Sequence, residues 1–234
     1  MNRIHRLKEV AWKCNRELSR FGLAVRTFGN ASAVDRKEGL VAIKPSGVEY
    51  EDLRVEDMVV VDLNNNVVEG KLRPSSDTKT HTLLYRAFPE IGGVVHTHST
   101  YAVAWAQAVR PIPILGTTHA DYLAVDIPCT AIMSDPMIKG DYEEETGKQI
   151  TRVFRNRSYK EIPMVIVACH GPFTWGETPE KAVEHSVMLE EIARMAFLTL
   201  QIRPDTPRLK QTLIDKHFKR KHGKKAYYGQ GNKS

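Results

Sequence analysis

Near the start of the chain the apolar positions fall four apart. Val10, Cys14 and Leu18 share one side of a helical wheel, and Gly22 follows as a stop. The spacing predicts an amphipathic helix over 6–20. The pattern then changes. Residues 39–44 are a short apolar run leading into the turn Pro45-Ser46-Gly47, and 57–70 reads as a hairpin around Asn64-Asn65-Asn66. After Pro74-Ser75-Ser76-Asp77 the stretch 80–88 returns to helical spacing, with Ser and Asp placed to cap its first turn. Residues 91–95 read as a buried strand, 101–108 and 144–155 as helices, and 164–169 as a second continuous apolar strand. Thr178-Pro179 opens a long amphipathic helix that reaches residue 202, a cap followed by proline at the first helical position. A last helix over 208–222 ends at Gly223.

Strands and helices are interspersed without strict alternation, and no repeat or long linker divides them. The expectation is an α/β fold: one domain over 1–234, with a central mixed or antiparallel β-sheet covered by helices, and a C-terminal helix and basic arm over 208–234. With 234 residues, 41% of them hydrophobic, the chain can bury one substantial core. No stretch approaches the ~18 consecutive apolar residues of a membrane span. The first residues also lack the apolar run of a secretory signal, so no membrane partner is expected. Cys14, Cys129 and Cys169 form an odd, scattered set, which points to a reducing, cytoplasmic setting.

The formal charge of +6 belongs to one end of the chain. Residues 216–234 hold seven Lys or Arg and no acid, which leaves 27 basic and 28 acidic groups elsewhere. Such a tail can bind nucleic acid, a membrane surface or a small anion, or stay solvated. A near-neutral remainder with a single short patch argues against a nucleic-acid partner.

The chemistry centres on histidines. On a strand, His96 and His98 project to the same face while Thr97 projects to the other. Two imidazoles at that spacing can reach one ion, or they can be polar residues on a wet strand. His170, where the second apolar strand emerges, is placed to join them, and three neutral imidazoles make a plausible zinc set. Lys44-Pro-Ser-Gly47 and Pro74-Ser-Ser-Asp77 are turns whose backbone N–H groups and hydroxyls can converge on an anion. The second leads into a helix, whose N-terminal end favours phosphate. Among the other histidines, His119 is expected to shape the site, and His5 and His185 to be surface or helix residues.

Taken in order, eight segments resemble the class II aldolase/epimerase family, and more closely its sugar-phosphate 4-epimerases. They are 28–35, 43–48, 74–78, 91–99, 116–122, 127–130, 169–176 and 215–230. The resemblance implies a divalent metal, usually Zn2+ with Mn2+ or Co2+ as alternatives, held by His96, His98 and His170 with Asp77 as a close carboxylate ligand. It implies a phosphosugar substrate gripped by Gly29, Asn30, Ser46, Gly47, Ser75 and Ser76, with Lys44 adding a positive charge. Asp121 and Tyr228 match the family's acid/base pair. The family forms a fourfold homotetramer with sites between subunits, so Asp121, Tyr228, His217 and Arg220 are expected to approach the metal from the adjacent chain. Two alternatives stay open. One is an aldolase that releases its fragments; the other is a non-catalytic, adducin-like member, which would lack the three histidines.

Overall fold

The computed structural model describes residues 2–222. Its centre is one seven-stranded sheet built from β1 (Asn30–Asp35), β2 (Leu40–Ile43), β3 (Val59–Asp62), β4 (Val67–Glu69), β5 (Gly93–His96), β6 (Met164–Ile166) and β7 (Pro172–Gly176). The strand order is β4-β3-β2-β1-β5-β7-β6 and every pairing is antiparallel, which resolves the mixed-or-antiparallel expectation.

Alternation divides the sheet into two faces. Val41, Val59, Val61 and Val94 point into the main core, together with Leu84 and Tyr85 from α2 (Thr78–Ala87), Ile150 from α6 (Tyr142–Val153) and Phe154 just past its end. Their neighbours Ala31, Ala33, Ala42, Val60 and Val95 point the other way. There they meet α1 (Arg3–Arg20) and the first turns of α7 (Pro179–Ile202). The small residues of β1 let α1 approach closely. Asn15 of α1 closes the contact with two bonds to Ala31, donating to its carbonyl at 2.8 Å and accepting from its N–H at 2.9 Å. The remaining helices are α3 (Thr100–Gln107), the short α4 (Thr117–Ala120) and α5 (Asp135–Lys139), and α8 (Gln211–His222), which packs on α4.

Three local expectations change. The second apolar strand stops at Ile166 rather than Cys169, because 167–171 turn back on themselves. Val167 N–H bonds Gly171 O at 2.9 Å, and Cys169 takes a left-handed φ of 60°. The strand carrying His96 ends there, so His98 lies beyond it, ahead of Ser99 and α3. Asp77 stands at the N-terminus of α2 but makes no side-chain cap; its carboxylate is engaged elsewhere.

Candidate metal centre

His96 continues the core-facing series of β5 after Val94, and its cross-strand partner on β1 is Asn30. Both therefore lie on the α2 side of the sheet, at the end where β5 stops. His98 follows in the loop, and the β6–β7 turn brings His170 alongside. One ligand atom from each of the three imidazoles lies within 4.8 Å of the others. His96 Nε2 and His98 Nε2 are 3.1 Å apart. Two nitrogens bound to one tetrahedral zinc at ~2.0–2.1 Å sit about 3.3 Å apart, so this spacing suits a shared ion.

The tautomers fit as well. His96 Nδ1 donates to Pro172 O at 2.9 Å, which leaves the Nε2 lone pair facing its neighbours. Burial, with His96 close by, lowers the His98 pKa. Burial and the adjacent imidazoles push His170 down to about 3. Both rings are thus neutral at physiological pH, the form that coordinates metal. Two glycines make the packing possible. A Cβ on Gly171 would lie 2.8 Å from Thr97 O, and one on Gly29 (φ +83°) would lie 2.9 Å from His96 O.

Asp77 borders this cluster but is not one of the three mutually close ligands. Its Oδ2 accepts from Asn30 Nδ2 at 2.7 Å. Burial opposes its ionisation, yet the adjacent His96 and His81 and the Asn30 bond hold its carboxyl below the usual range. Behind it, α2 and β1 form a polar seam. His81 Nδ1 and Tyr85 Oη lie 2.7 and 2.8 Å from Ser32 Oγ, two positions along β1 from Asn30. His81 is fully buried, its Nε2 has no partner, and burial pushes its pKa to about 3.

Beside the histidines opens a cleft of about 350 Å3 lined by Gly29, Asn30, Lys44, Ser46, Gly47, Ser75, Ser76, Asp77, His98 and His170. The two turns read as anion-binding are physically joined. Pro45 and Pro74 form a β-bridge, Ser46 N–H donates to Arg73 O at 2.9 Å, and Ser75 N–H donates to Lys44 O at 3.0 Å. Lys44 is 1% exposed. Its ammonium lies 4.8 Å from the Tyr50 ring centroid and reaches the Thr27 and Pro45 carbonyls, each at 3.4 Å. Burial lowers its pKa to about 8, so it still carries charge at neutral pH. A sunken cation whose hydrogen bonds reach only carbonyls favours an anionic visitor.

Asp121, His217 and Arg220 come together, but elsewhere. Arg220 donates to both carboxylate oxygens, at 2.9 and 2.6 Å, and His217 Nδ1 lies 3.0 Å from Oδ1. None of the three lines the cleft of their own chain. Burial works against ionisation of Asp121, but Arg220 and His217 more than offset it, leaving its carboxyl below the ordinary range. Tyr228 lies outside the described residues. His119 is buried on α4, bonded through Nε2 to Val125 O at 3.0 Å and pushed by burial to about 4. His185 lies on α7, half-buried, with Nδ1 2.7 Å from Trp175 O. His5 is exposed.

Sequence reading gave no site role to five cleft residues: Thr27, Phe28, Pro45, Tyr142 and Glu143. Tyr142 and Glu143 precede the segment 144–155 read as a helix, and nothing in their spacing marks them. Size does not identify the site either. A groove of about 850 Å3 lies near Trp175 and Phe218, and among the described residues it gathers no metal-ligating cluster.

Residues 9–197 match the class II aldolase and adducin N-terminal domain family, and the chain belongs to it. Solved structures agree on the fold. An L-fuculose 1-phosphate aldolase superimposes with a TM-score of 0.76 at 24% identity, covering 92% of this chain and 95% of that one. The l-fuculose-1-phosphate aldolase of Thermus Thermophilus gives 0.66 at 25% identity, over 86% and 98%. An aldolase II superfamily protein from Pseudomonas syringae gives 0.78 at 14% identity, over 94% and 86%. No helix among the described residues is long and apolar enough to cross a membrane.

Proposed function

We propose that this protein is an L-ribulose-5-phosphate 4-epimerase, interconverting L-ribulose 5-phosphate and D-xylulose 5-phosphate. The observation that carries this reading is a cation site beside an anion site: three imidazoles gathered next to a cleft with a buried Lys44 and two joined, hydroxyl-bearing turns. His96, His98 and His170, with Asp77 at their side, would hold a divalent ion, Zn2+ or else Mn2+ or Co2+. When bound, it supplies Lewis-acid stabilisation of negative charge developing on substrate oxygens.

The substrate dictates the remaining parts. Its carbonyl is at C2, so C4 carries no acidic hydrogen and cannot be inverted by simple deprotonation. Removal of the C4 hydroxyl proton with cleavage of C3–C4 gives glycolaldehyde phosphate and a three-carbon enediolate. The aldehyde turns about its bond to C5, and the C3–C4 bond re-forms on its other face as the alkoxide takes a proton. Lys44, Ser46, Gly47, Ser75, Ser76, Gly29 and Asn30 keep the phosphorylated fragment bound while its reactive end rotates. Alkoxides on two faces require two proton-transfer groups, and Asp121 and Tyr228 are assigned to them. They are supplied with His217 and Arg220 by the adjacent subunit of a fourfold homotetramer. The pairing with Arg220 keeps Asp121 ionised and also lowers its basicity. Tyr228, ordinarily ~10, needs nearby cations to release its proton.

The resemblance supports epimerisation over fragment release: the family's fragment-releasing members typically carry Glu where Asp77 stands and use it as an acid/base, and Asp, one methylene shorter, would lie towards the ion rather than over the substrate carbon. The names of two structural relatives favour the second reading, an aldolase. Incubation with L-ribulose 5-phosphate, with and without a chelator, separates the two. Chelator-sensitive formation of D-xylulose 5-phosphate is expected. Accumulation of glycolaldehyde phosphate and dihydroxyacetone without D-xylulose 5-phosphate would establish the aldolase, and no turnover by the metal-loaded protein would refute the epimerase.

A further inference from the structure

Two rings of the triad have a partner on Nδ1, and the partners differ. His96 has a backbone carbonyl, Pro172 O, on Nδ1. His170 has a side chain: the hydroxyl of Tyr142, 3.4 Å from its Nδ1, with the two rings 5.9 Å apart. Tyr142 opens α6 at the rim of the cleft and is half-buried. Its position is set by the docking of α6 on α2. Thr80 Oγ1 donates to Glu143 O at 2.6 Å, Lys79 pairs with Asp141, and Gly147 packs where a Cβ would lie 3.1 Å from the Leu83 side chain. The helix pair that presents Asp77 therefore also presents Tyr142, and it meets the β6–β7 turn at His170.

We propose that Tyr142 is a positioning residue of the metal centre: its phenol oxygen accepts Nδ1–H of His170, selecting the tautomer that turns Nε2 towards the ion. The inference rests on the metal reading of the three histidines. Without an acceptor there, His170 is free to place its proton on Nε2 or to rotate, and either removes a ligand. Partners of this kind typically change metal affinity 10–100-fold when lost.

The test is Tyr142→Phe, which keeps the ring and removes only the hydroxyl. Zinc affinity is measured by competition with a chromophoric chelator, and the dissociation constant is expected to rise about 10–100-fold. An unchanged constant would overturn the proposal. Unfolding of the metal-free variant should match wild type; a matched loss of metal-free stability would assign the residue to packing instead and overturn it. Nitrogen-15 NMR of histidine-labelled, metal-free protein supplies a readout independent of affinity. His170 is expected to carry its proton on Nδ1 in wild type and to lose that preference in the variant. Protonation at Nε2 in wild type sinks the idea. If wild-type protein takes up no zinc, the metal reading itself fails and this proposal falls with it. That result is distinct from a loss confined to the variant.

Discussion

His81 offers a measurable consequence of burying an imidazole beside a metal centre. The ring is fully buried, its Nδ1 is on Ser32 Oγ and its Nε2 has no partner, so a second N–H would point into the interior unbonded. Burial accordingly pushes its pKa from 6.5 to about 3. The unfolded chain binds this proton near pH 6.5 and the native state does not. The stabilising contribution is therefore whole above 6.5 and is lost as pH falls, down to the native value. Each pH unit in that window removes ~1.4 kcal/mol, so acidification from 6.5 to 5.0 costs about 2 kcal/mol through this one side chain. His81→Gln keeps a side chain able to hydrogen-bond Ser32 but cannot titrate. Urea unfolding of metal-free wild type and variant, repeated every half unit from pH 7.5 to 4.5, should show wild-type stability falling more steeply by ~1.4 kcal/mol per unit below 6.5. Buried His119 contributes equally to both proteins and cancels. Parallel curves would mean that His81 is protonated in the fold, and the argument from burial would be wrong.

Two further outcomes follow from the cleft and its walls. Lys44→Gln should raise KM for the phosphosugar by about 10–100-fold, the loss of one or two hydrogen bonds from a charged donor. Because the Lys44 pKa is about 8, wild-type affinity should fall as pH rises through that value while the variant stays flat; identical KM profiles would remove Lys44 from the anion site. Gly171→Ala places a methyl 2.8 Å from Thr97 O, which is backbone and cannot turn aside. It should cost ~1–3 kcal/mol in thermal unfolding and weaken zinc binding by shifting His170, and a fully stable, fully loaded variant would show that the turn has more room than described.

The histidine cluster and the two cleft-lining turns were legible because each sits in a short run whose residue types announce it. Local pattern also placed α1 and α7 within a few residues. It missed β1, whose Ala and Ser residues lack the β-branched signature of a strand. It also missed β7, which opens on Pro172 and ends on Gly176. Both identities are explained by what packs against them: α1 needs the small face of β1, and a Cβ on Gly176 would collide with the backbone of α7 at 2.8 Å. The seam joining Ser32 to His81 and Tyr85 was invisible for a related reason. A strand period of two and a helix period of four line up only once β1 and α2 are placed side by side. Tyr142 escaped notice because its meaning lies in the distance to His170, 28 positions away.

The bridge between Pro45 and Pro74 has a consequence for how this scaffold changes over time. It ties the proposed phosphate grip to two loops of which only Asp77 belongs to the proposed ion site, so their other positions can be rewritten while the imidazole cluster stays intact. A lineage built on this plan can trade one phosphorylated sugar for another by editing a handful of loop positions. Invention is cheapest in that half of the pocket.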